Sequence, residues 1–137
     1  MGRIYFNARK KSQALNAAHT VKVAESGTIF MVSNSSGAGY NITLPTGSDM
    51  LEGLHYKFIV EEDTPGHAVT IVAGSSIIDG VQKDAGGDAA NSTAGTAVDN
   101  ILIGTTTKQG DYINLFTDGN TWYFECLSSV NNAITTT

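Results

Sequence analysis

A single cysteine, two prolines, eight basic residues and no long apolar run are the first things to notice in these 137 residues. Cys126 has no partner for an internal disulfide, so its simplest role is that of a small buried apolar side chain. No stretch approaches the roughly 18 apolar residues of a membrane span, and the N-terminus lacks the apolar core of a signal peptide. The expectation is a soluble chain made in the cytoplasm without secretory export. In that compartment the sequons at Asn34, Asn41 and Asn91 have no glycan to accept. Leucine, lysine and glutamate, the usual helix formers, are sparse, whereas glycine, threonine, serine and asparagine are plentiful. That balance argues for short strands joined by tight turns.

Charge is unevenly spread. Arg3, Arg9, Lys10 and Lys11 lie in an opening segment with no acid, while the rest of the chain holds four basic and thirteen acidic residues. The arm is thus about +4 and the body about −9 within the overall −5. Such a body argues against a nucleic-acid-binding face and leaves the arm as the electrostatic handle for a partner. Beside those charges stand Ile4, Tyr5 and Phe6, apolar anchors of the kind that hold an interface whose rim is charged.

Period supplies the strands. TIFMVS at 28–33, YNITL at 40–44, HYKFIVE at 55–61, HAVTIV at 67–72, SIID at 76–79 and NILIGTT at 100–106 read as strands, with TVKV at 20–23 an earlier one. Tyr40, Ile42 and Leu44 share a face, as do Tyr56, Phe58 and Val60. Pro45 ends its strand because proline cannot donate to a ladder. Pro65-Gly66 suits the turn of a hairpin joining the strands on either side. A single helical turn fits TGSDMLEGLH, capped by Ser48 or Asp49 and closed by Gly53. DYINLFTDGNTWYFEC reads as a hairpin with Asp118-Gly119 at its tip. In that register Leu115 faces Trp122 and Ile113 faces Phe124, with Tyr112, Asn114, Tyr123 and Glu125 on the opposite face. Residues 80–100 carry no large apolar residue except valine and read as a long functional or mobile loop. The tail allows one short strand.

The expected fold is all-β: a single antiparallel β-sandwich or small β-barrel over 20–137, with an N-terminal arm over 1–19 that is extended or weakly helical. No sequence repeat stands out, which argues against a solenoid.

Chemistry is harder to find. His19, His55 and His67 are dispersed, and no HExxH, paired cysteines, phosphate loop or GxSxG elbow occurs. His55 and His67 flank the expected second hairpin and could approach one another. Glu61, Glu62 and Asp63 lack the alternating ligand spacing of a calcium loop. The expectation is a protein without catalytic residues, cofactor or metal.

ITLP, a glycine-bearing polar insert, YKFIV, VTIV, IIDG, a small-residue loop and GDYINLFTDGNTWYF follow one another over 28–124. This succession resembles the capsid decoration (cement) proteins of tailed bacteriophages and related β-rich tail-fibre modules. The resemblance implies a non-enzymatic virion protein that binds the major capsid protein, assembles as a homotrimer and stiffens the shell from its outer surface, with no catalytic set. On that reading the partner-binding residues are Arg3, Ile4, Tyr5, Phe6, Arg9, Lys10 and Lys11. The alternative is a tail-fibre or receptor- or carbohydrate-binding module, with Tyr40 or Tyr123 stacking on sugars.

Overall fold

The chain is all-β in a computed structural model that describes residues 9–35, 37–85 and 93–137. Twelve strands are present among these residues: β1 Ser12–Leu15, β2 His19–Thr20, β3 Ile29–Val32, β4 Tyr40–Thr43, β5 His55–Val60, β6 Val69–Val72, β7 Ile78–Asp84, β8 Thr93–Val98, β9 Asn100–Ile103, β10 Tyr112–Thr117, β11 Trp122–Ser128 and β12 Ile134–Thr136. They form a seven-stranded sheet in the order β1-β3-β5-β10-β11-β7-β8 and a five-stranded sheet in the order β12-β9-β6-β4-β2.

The expected antiparallel pairing is corrected to a mixed one. From β1 to β7 the chain changes sheet at every connection, so β1, β3 and β5 lie side by side in one sheet and β2, β4 and β6 in the other. All four pairs so formed are parallel. Parallel neighbours need a crossover, and here a strand of the opposite sheet provides it. The first six strands therefore wind as three coils, although no sequence repeat marks them. Only after β7 do adjacent hairpins appear, β7 with β8 and β10 with β11.

This winding overturns the hairpin at Pro65-Gly66. β5 pairs with β3 and β10, and β6 with β4 and β9, so the turn carries the chain between sheets. Thr64 with φ 48° helps to reverse the direction, and Pro65 is buried. The expected loop over 80–100 is also corrected: β7 runs on to Asp84, and β8 and β9 fill 93–98 and 100–103. The arm boundary moves too. β1 and β2 are strands of the body, and Leu15 is buried in the core. An edge strand needs few anchors, which is why a run of mainly small apolar residues suffices there.

Two short elements differ from expectation. The strand expected over 20–23 gives way to a 3-10 turn at Val23–Glu25, where the Lys22 N–H donates to the Glu25 carboxylate at 2.7 Å. The turn at Gly47–Asp49 is capped by Thr46 without a side-chain hydrogen bond, while Gly53 takes φ +88° beyond it.

Inward side chains of both sheets form one hydrophobic cluster. Cross-strand rows build it: Phe30 pairs with Phe58 and Phe58 with Ile113 in the larger sheet, and Ile42 with Ile71 and Ile71 with Ile101 in the smaller one. The Phe30 and Phe58 rings stack at 5.2 Å with planes 17° apart. Trp122 is fully buried beside Tyr56, their ring centroids 5.7 Å apart.

The 112–125 hairpin keeps its expected faces and changes its register by two residues. Thr117 pairs with Trp122, Leu115 with Phe124 and Ile113 with Cys126. Because side chains alternate with period two, a shift of two leaves every residue on its own face. The longer tip is stabilised by polar contacts that a two-residue loop lacks. Asp118 Oδ1 accepts from the N–H groups of Asn120 (2.9 Å) and Thr121 (2.8 Å), and the Thr117 hydroxyl donates to the Thr121 carbonyl at 2.7 Å. Gly119, with φ +94°, makes the bend.

Candidate functional site

The outer face of the larger sheet is the strongest candidate for a working surface. Alternation puts Phe30, Phe58, Leu115 and Trp122 inward, so their neighbours along each strand point outward. Several of those neighbours are apolar. Met31, Ile59, Tyr112 and Leu127 form one in-register row, all half-buried, and Ile29 stands at the start of the next. Phe116 is 48% exposed and Tyr123 42%, and their rings stack at 6.4 Å with planes 26° apart. Such an exposed aromatic pair is the kind of patch that marks an interaction surface.

An open groove of about 590 Å³ crosses this face over β3, β5, β10 and β11. Phe116 and Tyr123 form its aromatic wall, with His55, Asn114 and Glu125 beside them and Lys10 at its edge. The Lys57 ammonium lies 4.7 Å from the centre of the Tyr112 ring, a cation–π contact that engages its charge. The Tyr123 hydroxyl donates to Asp118 at 3.2 Å. The Asn120 and Thr121 N–H groups, with a smaller contribution from that bond, hold the Asp118 carboxyl below the usual carboxylate range.

Of the expected arm residues, Arg3, Ile4, Tyr5 and Phe6 lie outside the described residues. Arg9, Lys10 and Lys11 are exposed and lead straight into β1. The Lys11 carbonyl accepts from the Ile29 N–H at 2.9 Å, which levels the arm's exit with the start of β3. The chain thus enters the fold at the edge of the groove.

Tyr40 is not a surface platform. Its hydroxyl is shared between the carbonyls of Leu15 (3.0 Å) and Ser33 (2.9 Å). Burial, with the Glu62 charge nearby, pushes it up to about 12. Tyr123 remains exposed, as the sugar-binding alternative requires. The two histidines do not flank one hairpin: His55 lines the groove, whereas the His67 carbonyl accepts from Asn34 Nδ2 at 3.1 Å beyond the sheet-switching turn. Among the described residues no group of three or more His, Cys, Asp or Glu is placed to hold a metal ion.

Sequence reasoning missed the outward apolar row. Its signal was present in the unbroken runs IFMV of β3 and FIV of β5, because a strand apolar on both faces reads as a continuous run. Tyr123 was legible on the hairpin face away from Leu115 and Trp122, but Phe116, its cross-strand partner, was not placed. No family model, curated protein or solved structure matches the chain.

Proposed function

We propose that the chain is a non-enzymatic virion structural protein that decorates the capsid of a tailed phage, binding the major capsid protein as a homotrimer on the outer surface of the shell. One observation carries this reading: an apolar and aromatic outer sheet face lies open where a basic N-terminal segment enters the fold. An apolar centre with charge at its edge suits a protein partner, steering association by charge and holding by buried aromatics. The order of strand motifs, from ITLP to TWYF, agrees with the resemblance to decoration proteins.

The test is direct. The purified chain is mixed with capsid shells that lack it, produced from the genome that encodes it, and sedimented. Saturable co-sedimentation at a fixed number of copies per shell supports the reading, and a chain left in the supernatant overturns it.

A second reading has its own observation. The exposed Phe116–Tyr123 stack beside Asn114 and Glu125 combines an aromatic platform with hydrogen-bonding groups, which suits a saccharide in a tail-fibre or receptor-binding module. Binding to host cells that soluble oligosaccharide displaces, together with no binding to capsids, selects this reading.

A further inference from the structure

We propose that the groove on the outer face of the larger sheet binds an extended segment of the partner protein that is oppositely charged at its two ends. A carboxylate of that segment lies over β1, a lysine or arginine over β11, and an apolar side chain between them on the Phe116–Tyr123 pair. The inference rests on the reading of this open face as the attachment surface and adds what the surface recognises.

The groove has a polarity. Lys10 lines it at the β1 side, and the outward side chains of β1, β3 and β5 include no acid. At the other side Glu125 lines it from β11, and Asp79 of β7 is the cross-strand partner of Tyr123. Lys83, the base of β7, stands opposite Leu127 and outside the groove. Among the described residues neither the Lys10 ammonium, the Asn114 amide nor the Glu125 carboxylate has a hydrogen-bond or ion-pair partner. Lys57, by contrast, is engaged by the Tyr112 ring.

The polar groups between the two charges suit a main chain laid across the strands. Asn114 offers both a donor and an acceptor. His55 Nδ1 lies 3.1 Å from the Gly53 carbonyl, which only accepts, so in the neutral ring Nδ1 holds the proton and Nε2 is an acceptor for a backbone N–H. From β1 to β11 there are four strand spacings, roughly 19 Å at about 4.8 Å each, a span that about six residues of extended chain cover at roughly 3.3 Å each. A purely acidic segment would be repelled at Glu125, and an uncharged one would leave both end charges of the groove unanswered.

Charge reversal tests this in the co-sedimentation assay with shells that lack the chain. Lys10 and Glu125 are both exposed, so reversal leaves the fold in place. Lys10→Glu and Glu125→Lys are each expected to weaken shell binding by about tenfold at low ionic strength and by less in strong salt. The double reversal restores the net charge yet is expected to bind no better than either single variant, because a segment held in a folded partner cannot turn round. Unchanged or tighter binding of Glu125→Lys overturns the proposal, the tighter result marking a plainly acidic occupant. Recovery of wild-type affinity in the double variant also overturns it, since only net charge would then count. Self-association of the wild type without shells, abolished by either reversal, overturns it in favour of a second copy on the groove. A wild type that stays in the supernatant instead removes the attachment reading itself, and this inference with it.

Discussion

The indole N–H of Trp122 donates to the carbonyl of Pro45 across 3.1 Å, linking β11 of the larger sheet to the residue that ends the β4 segment of the smaller one. The bond is buried, and it gives the largest core side chain a polar tie between the two sheets. Trp122→Ala removes both the ring and the bond and is expected to destabilise by about 3–5 kcal/mol. Trp122→Phe keeps most of the apolar volume but strands a buried carbonyl, at a cost of about 1–3 kcal/mol. Urea unfolding followed by far-ultraviolet circular dichroism separates the two, and equal stability of Trp122→Phe and wild type would refute the tie.

Gly80 is fixed by its neighbour in β11. A Cβ at this position would lie 2.0 Å from the Phe124 carbonyl oxygen and 2.5 Å from Phe124 Cδ1, so the backbone of β7 must move for any side chain to fit. Gly80→Ala is therefore expected to destabilise by about 3 kcal/mol or more, at the upper end of overpacking. Thermal unfolding and soluble yield measure it, and a melting temperature within a degree or two of wild type would show that β7 yields freely.

Gly80 also explains why part of the fold escaped the sequence. Strand β7 passes through Gly80, whose cross-strand partner in β8 is Gly95, and the space there belongs to the Phe124 ring. A strand built around an aromatic neighbour carries no apolar alternation of its own, so 80–100 read as a loop. By contrast, Tyr56, Phe58 and Val60, and Ile113, Leu115, Trp122 and Phe124, declared their buried face by period alone. Period identifies a face but not a partner. It could not distinguish a hairpin at Pro65-Gly66 from a change of sheet, nor show that β1, β3 and β5 run parallel. The candidate surface was half legible: Tyr123 was placed on the face opposite Leu115 and Trp122, whereas the apolar run holding Ile29 and Met31 was assigned no outward face.

Glu25 predicts a pH dependence. Burial pushes its carboxyl up, but the Lys22 N–H, the His19 ring at 3.2 Å and the Lys11 charge outweigh that and hold it below its ordinary 4.5. A carboxylate depressed in the folded state stabilises fully above its unfolded value and loses that contribution as pH falls through the folded one. Glu25→Gln is therefore expected to be less stable than wild type at neutral pH, by about 0.5 kcal/mol on the scale of a screened pair. Its deficit should shrink as pH drops below about 4.5. Chemical denaturation at a series of pH values reads this out, and a deficit that widens in acid contradicts the assignment.

Cys126 is expected to be inert in the native protein. It is buried, and that burial pushes its thiol up to about 12, leaving almost no thiolate at neutral pH. Labelling with a thiol-specific disulfide reagent should proceed only as fast as the fold opens, and Trp122→Ala should accelerate it. Rapid stoichiometric labelling of the intact native chain would mean that β11 opens locally beside Lys83 and Asp84.

The final prediction separates the attachment surface from the scaffold. Phe116 and Tyr123 face outward and contribute nothing to the buried cluster, so Phe116→Ser with Tyr123→Ser should change stability by no more than about 1 kcal/mol, the sum of two ordinary surface substitutions. If this face meets the capsid, the same pair removes the apolar centre of the contact, and hot-spot aromatics of this kind carry about 2 kcal/mol or more each. Capsid affinity should then fall by a factor of at least about a hundred while the melting curve stays in place. Lys10→Gln at the groove edge should act differently. An exposed charge steers association and is screened by salt, so its loss should weaken binding clearly at low ionic strength and little at high. Sedimentation with capsids across a salt series distinguishes the two effects. A double serine variant that decorates shells with unchanged affinity would exclude the outer face of the larger sheet, and attachment would then have to lie on another surface of the fold.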